Sequence, residues 1–258
     1  VSEAEGAVRY ERRGHTAHIT FDRPPARNAL TEAMYAQLEH SLDRVSREAD
    51  VRVAVLRGAD GTFVAGTDIE RFRSFRTGDD GLRYERRIED VVARLEALAI
   101  PTVAVVEGVA AGAGLVLAAA CDLRVCTPDT RFGAPIARTV GNALSIANTA
   151  RLVAHLGVAR TKRLLLMADF LDGVEAHAAG FVTAVVAPAE LDARVDALCE
   201  RIGSHAPVTM RVSREAIRRI TAAVPDGDDL MRRVYESDDF REGVAAFLAK
   251  RPPRWSGR

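Results

Sequence analysis

Val106-Glu107-Gly108-Val109-Ala110-Ala111-Gly112-Ala113-Gly114 joins an apolar run, Thr102–Val106, to a second apolar run, Ala113–Ala120. The first has the length and composition of a buried strand, and the second reads as a helix. Small residues between them let backbone approach a ligand closely. The helix start offers unpaired N–H groups at the positive end of the helix dipole. Such a turn favours an anion, or a carbonyl oxygen that becomes one. Taken alone, Gly112-Ala113-Gly114 is better read as a turn that packs a helix on a sheet. A second segment, Phe63-Val64-Ala65-Gly66-Thr67-Asp68-Ile69, strengthens the ligand reading, because Gly66 and Thr67 leave a strand in another tight turn.

Working outward, the first third alternates strand and helix signals. Residues 7–11 and 17–21 read as strands around Arg13-Gly14, and 22–25 as a loop. Thr31 caps a helix to about Glu48, with Met34, Leu38, Leu42 and Val45 on one face. A buried strand is expected at 51–56, and an amphipathic helix over 82–98 carries Ile88, Val91, Val92, Leu95 and Leu98. After the Gly-rich turn, 122–126 reads as a strand. Helices follow at 144–156 and 159–167, with a strand at 182–186. Four helices are expected from Pro188 to Lys250, separated at 203–207, 225–228 and Ser237. This pattern predicts an α/β core over residues 1–187 and a helical C-terminal lobe over 188–258.

Composition narrows the function. The 258 residues suit one domain, or one domain with a small appendage. Lys+Arg and Asp+Glu both number 36, so no basic excess points to nucleic acid, and no basic amphipathic stretch points to a membrane. The apolar stretch over 103–125 is broken by Glu107, Asp122 and Arg124, too polar for a spanning helix. Residues 1–14 lack an apolar signal core. Cys121, Cys126 and Cys199 read as buried or inert thiols, and the six histidines are scattered without metal-ligand spacing. A cytoplasmic protein with no metal is expected.

The two segments together, FVAGTDI and IPTVAVVEGVAAGAGLVLAAACDLRV, resemble the crotonase (enoyl-CoA hydratase/isomerase) superfamily. DRPPARNALT, RFGAP, MADFLDGVEAHAAGFVTAVV and SDDFREGVAAFLAKRPPRW extend the resemblance over nearly the whole chain. It implies a spiral of ββα units whose C-terminal helical lobe forms trimers, or hexamers as dimers of trimers. It implies acyl-CoA substrates, with coenzyme A entering as part of the substrate and no tightly bound cofactor. Carried over by position, the backbone N–H groups of Thr67 and Ala113 form the oxyanion hole. Pro25, Ala26, Arg27, Ala65 and Ile69 fall where family members contact the nucleotide or pantetheine. Phe247 and Lys250 fall where a C-terminal helix reaches adenine or phosphate. Arg27 and Lys250 read equally well as solvated charges.

The resemblance also exposes two departures. Hydratases of this family use two glutamates to activate water and protonate the α-carbon. Val116 and Ile136 stand at those positions, and neither side chain moves a proton. Gly141-Asn142 is similar to the chlorobenzoyl-CoA dehalogenases of the superfamily, but Ala143 stands where their nucleophilic aspartate would follow. Arg138 and Asn142 are candidates for the acyl pocket, Arg138 for a second carboxylate. A surface or intersubunit ion pair for Arg138 and a helix cap for Asn142 stay open. Tyr84, Glu85, Arg87 and Glu89 share a helix that walls the acyl pocket in the family.

The expectation is an acyl-CoA-binding protein of the hydratase/isomerase type, a lyase or isomerase that stabilises a thioester enolate without two-glutamate hydration. The rivals are decarboxylation of a malonyl-type thioester, a non-catalytic CoA-thioester binder, and a structural subunit.

Overall fold

A computed structural model describes residues 5–221 and 228–256. Strand β1 (Ala7–Arg13) turns at Gly14 and pairs antiparallel with β2 (Thr16–Asp22). Every later strand of this sheet runs parallel: β3 (Val53–Gly58), β4 (Thr102–Val106), β6 (Leu123–Cys126) and β9 (Ala184–Val185), in the order β1-β2-β3-β4-β6-β9. Three short strands, β5 (Val109–Ala111), β7 (Arg131–Gly133) and β8 (Phe170–Asp172), form a second sheet. The helices are α1 (Glu32–Arg47), α2 (Gly78–Glu96), α3 (Ala113–Ala120), α4 (Ile136–Thr139), α5 (Ile146–Leu166), α6 (Gly173–Ala178), α7 (Leu191–Gly203), α8 (Pro207–Thr221), α9 (Asp228–Tyr235) and α10 (Asp238–Leu248).

The strand period of two divides the core. Ala54 and Leu56 of β3, with Ala104 and Val106 of β4, join the large core shared with α1, α2 and α3. Val53, Val55, Val103 and Val105 point the other way, onto Leu191, Val195, Leu198 and Ile202 of α7. Burial on both faces explains the near-continuous apolar runs of these parallel strands. All of α3 is buried, which suits a helix apolar all round.

Several boundaries differ from the sequence expectation for local reasons. Strand β6 starts at Leu123 because Asp122 is an anchor: its carboxylate accepts from Thr102 N (2.7 Å) and Oγ1 (2.9 Å), and from Arg214 Nε (2.8 Å). Strand β9 shrinks to two residues, and the Val182 N–H is taken by Ala176 O at the end of α6. Helix α5 spans both helices expected there, with Gly157 (φ 74°) as the kink between them. Ser237 caps α10 through Phe240 N, as expected. The break expected at 225–228 lies outside the described residues except for Asp228, which opens α9. The three cysteines are free and buried, and desolvation pushes the Cys121 thiol up to about 12.

Helices α9 and α10 fold back toward the large core. Gly81 makes this possible, since a Cβ there would lie 2.0 Å from Cγ of the Tyr235 ring. Glycine inside a helix costs about 1 kcal/mol relative to alanine. Here it admits an aromatic ring from the far end of the chain. No helix among the described residues is long and apolar enough to cross a membrane.

Candidate active site

The two glycine turns lie side by side. Val64 N donates to Val109 O (3.1 Å) and Ala111 N to Val64 O (3.0 Å), so the Phe63–Ile69 segment runs parallel to β5. A Cβ on Gly112 would come within 4.0 Å of Gly66 Cα, and one on Gly114 within 2.1 Å of Val64 O. Only glycine allows α3 to start this close, and Gly112 also has φ 52°. Thr67 and Ala113 follow these glycines and both line one cavity of about 400 Å³. Among the described residues, no backbone carbonyl takes the N–H of either. For Ala113 this follows from its place as the first residue of α3.

The same cavity brings together most of the residues expected from sequence. Ala26, Arg27, Ala65 and Ile69 line it on one side, Val116, Ile136 and Asn142 on another, and Phe247 on α10 joins them. Pro25, Arg138 and Lys250 are exposed and are not among the lining residues. Arg138 is therefore not on the wall of this cavity. The early loop is held by Asn28, whose side chain accepts from Arg23 N (2.7 Å) and donates to Ala59 O (2.9 Å) and Thr62 O (2.6 Å). Asp68 has structural partners: it pairs with Arg23 (2.7 Å) and caps the turn through Glu70 N (3.1 Å).

The helical wall of the cavity is polar in a way that sequence reasoning missed. Tyr84 and Glu85 of α2 both line it, while Arg87 turns away to pair with Glu39 and Glu32. Tyr84 O–H donates to Thr67 Oγ1 (2.8 Å), and the Tyr35 hydroxyl of α1 meets the same oxygen at 2.7 Å. Two buried tyrosines thus fix the side chain of a proposed donor residue. Glu85 is 4% exposed. Its Oε1 accepts from Tyr235 O–H of α9 (2.7 Å), and its Oε2 from Ser145 N (3.2 Å) at the start of α5. Asn142 Nδ2 reaches the Tyr235 oxygen at 3.4 Å. Asn142 Oδ1 is buried and has no hydrogen-bond partner among the described residues.

Burial dominates the electrostatics here. Desolvation raises the Glu85 carboxyl to about 7, against the lowering effect of its hydrogen bonds from Tyr235 and Ser145. Desolvation also holds the Tyr84 and Tyr235 hydroxyls well above the usual phenol range. Phe72, Phe75 and Phe240 pack edge-on or tilted against these tyrosines, with Phe72–Tyr84 at 4.9 Å and Tyr235–Phe240 at 4.8 Å. Helical phase held the clue to this wall: Glu85, Ile88, Val92 and Leu95 are spaced to share a face, so one carboxylate sits on an otherwise apolar stripe. Its partner Tyr235 has no such local signal.

This geometry places, in one cavity, two backbone N–H groups that no backbone carbonyl among the described residues takes and one buried carboxyl raised by desolvation. A family model described as enoyl-CoA hydratase/isomerase matches residues 11–258. The short-chain-enoyl-CoA hydratase of Clostridium acetobutylicum is 30% identical over 247 residues, covering 93% of this chain and 94% of that protein. Enoyl-CoA hydratase domain-containing protein 2, mitochondrial, of Homo sapiens is 35% identical over 250 residues, covering 93% and 85%. Among solved structures, methylmalonyl-CoA decarboxylase in complex with 2-nitronate-propionyl-CoA matches with a TM-score of 0.89 at 26% identity, over 97% of this chain and 98% of that one. An enoyl-CoA hydratase/carnithine racemase from Magnetospirillum magneticum matches at 0.80 and 30% identity, over 97% and 96%. The mixed α/β architecture is therefore the crotonase fold, and the chain belongs to the enoyl-CoA hydratase/isomerase family.

Proposed function

We propose that this protein is an acyl-CoA enzyme that stabilises a thioester enolate without hydrating by a two-glutamate route. The observation that carries this reading is the placement of Thr67 and Ala113 in one cavity, with N–H groups that no backbone carbonyl among the described residues takes. The neighbouring positions that would hold hydratase glutamates are the apolar Val116 and Ile136, which line the same cavity. Two preorganised donors aimed at a thioester oxygen act where charge develops, and one such donor is worth roughly 2.7–4 kcal/mol in the transition state. The acyl group lies along Val116, Ile136 and Ile88. Ala26, Arg27, Ala65, Ile69 and Phe247 take the pantetheine and nucleotide, so coenzyme A enters with the substrate rather than as a separate cofactor.

Within this reading, decarboxylation of a malonyl-type thioester has a specific observation in its favour. Methylmalonyl-CoA decarboxylase structures match at TM-scores of 0.89 and 0.88. In that reaction the C–C bond to the carboxylate breaks, carbon dioxide leaves, and the electron pair becomes the enolate held by the two N–H groups. Neither glutamate position is needed for that step. Mass spectrometry of a panel of acyl-CoAs tests the proposal. Turnover of a malonyl-type or enoyl thioester without added water is the expected result. Thioester binding without any turnover would leave a non-catalytic binding protein, and no preference for thioesters over free acids would remove the reading altogether.

Self-association belongs to the same proposal. Helix α8 has no buried residue, and it exposes Val208, Val212, Ile217 and Ile220, with Leu166 and Met167 of the α5 terminus also exposed. Exposed apolar side chains on a helix that buries none suit an interaction face, and we assign it to a trimer or hexamer of this chain. Light scattering at micromolar concentration is expected to give that assembly. A monomer there would contradict it.

A further inference from the structure

We propose that Glu85 is the proton-transfer residue of this pocket, acting at the acyl carbon beside the thioester carbonyl, with Tyr235 and Asn142 as its positioning residues. The inference rests on the enolate reading above and names the group that moves the proton within it. Geometry carries it. Glu85 is a carboxyl on the cavity wall, in a pocket whose two family glutamate positions are occupied by Val116 and Ile136. It reaches the cavity from α2, whereas those two positions lie on α3 and α4, so it is not a displaced copy of either. Its two oxygens are fixed from two different elements, by Tyr235 O–H at 2.7 Å and Ser145 N at 3.2 Å. A side chain held this way loses little freedom on reaction. Asn142 Oδ1, in the same cavity lining, is buried without a partner among the described residues, an acceptor that a donor on the acyl group or a rotated Tyr235 hydroxyl would satisfy.

The two protonation states serve the two halves of an enolate reaction. As carboxylate, Glu85 takes a proton from the α-carbon: the C–H bond breaks, its electron pair enters the thioester as enolate, and an O–H bond forms on Glu85. As carboxylic acid, it returns that proton to the same or a conjugated carbon. After loss of carbon dioxide from a malonyl-type substrate, only the second half is needed, and one proton from solvent then restores the acid. Burial brings the ionisation of Glu85 to about 7, where both forms are populated at neutral pH. Glu89 of α2, Tyr235 of α9 and the Ser145 N–H act on this carboxyl, which in turn raises the hydroxyls of Tyr84 on α2 and Tyr35 on α1. Glu89 raises it, and the Tyr235 and Ser145 bonds lower it.

Deuterium incorporation into butyryl-CoA in heavy water tests this, because exchange needs only a bound thioester, an oxyanion site and one base. The unmodified protein is expected to exchange the α-proton, at a rate that rises with pH and is half-maximal near the ionisation of Glu85. Glu85→Gln, nearly isosteric, is expected to exchange at least ~100-fold more slowly while binding butyryl-CoA by calorimetry about as well. Glu85→Asp should recover part of the rate. Tyr235→Phe removes a hydrogen bond that favours the carboxylate, so its profile should move to higher pH. A merely structural Glu85 would not move the profile. Exchange at the parent rate in Glu85→Gln, or a parent profile flat through neutrality, overturns the assignment and leaves the enolate reading standing. Butyryl-CoA bound by the parent with no exchange at all overturns both.

Discussion

Ala113→Pro is expected to leave the protein folded and to lower turnover of its acyl-CoA by about 10²–10³-fold. Ala113 is the first residue of α3. Proline is accommodated there, because that N–H has no partner inside the helix and the ring presets a helical φ. The residue before proline is restricted to extended conformations. Here it is Gly112 at φ 52°, ψ −115°, the mirror image of that extended region, open to glycine alone. The substitution therefore removes one hydrogen-bond donor from the cavity with little demand on the backbone. The loss should fall on kcat, with KM changed little, since the donor acts on charge that appears only during reaction. Ala113→Gly keeps the N–H and is expected to stay within a few-fold of the parent. Steady-state kinetics beside a thermal melt by circular dichroism separate the two effects. Unchanged turnover in a folded Ala113→Pro protein would take this N–H out of the mechanism.

Much of the frame that positions this donor was legible because it is local. Strands such as Thr102–Val106 announce themselves by continuous apolar residues, α1 by its cap at Thr31 and its apolar face, and the donor turns by glycines between such runs. What escaped was short or long-range. Strands β5, β7 and β8 have three residues each. Such segments are too brief for a period to show, and they exist because neighbouring backbone supplies their hydrogen bonds. Gly157 broke the helical pattern in sequence, yet helical residues continue on both sides of it.

The site divides along the same line. Thr67 and Ala113 were singled out by their positions in the resemblance, and the glycines beside them mark the turns that bring both residues to one cavity. Glu85 was in view but unassigned, since facing the cavity depends on the rotation of α2 against α1 and α3. Tyr235 was invisible: it is 150 positions from Glu85, and only the approach of α9 to Gly81 makes them neighbours. The two tyrosine partners of the Thr67 hydroxyl come from two separate helices. Arg138 shows the converse, a charged residue at a promising position in the chain that the start of α4 leaves exposed.

Crotonyl-CoA hydration is expected to be slower than about 0.1 per second, some 100-fold below a typical enzyme turnover of ~10 per second. Hydration needs a base to activate water and an acid to protonate the α-carbon, each worth about 10²–10⁴-fold. Val116 is 1% exposed within an all-apolar helix, and Ile136 is half-buried at the start of α4. The remaining carboxylates of the cavity wall do not supply a pair. Asp68 is committed to Arg23, and Glu70 is exposed and pairs with Arg73 at 3.1 Å. Glu85 alone has one proton to give or take, and two bonds already hold it. Restoring both positions should restore the reaction in part. Val116→Glu places a carboxyl where desolvation keeps it protonated, as a donor to carbon must be, while Ile136→Glu stays accessible to water and ionised, as a base must be. The double variant is expected to hydrate at least ~10-fold faster than the parent, and either single variant to gain little, because the two groups act on one water from two sides. Loss of the enoyl absorbance reads the rate directly. Parent hydration near ~10 per second would show that other residues activate water, and would replace the enolate reading with a hydratase.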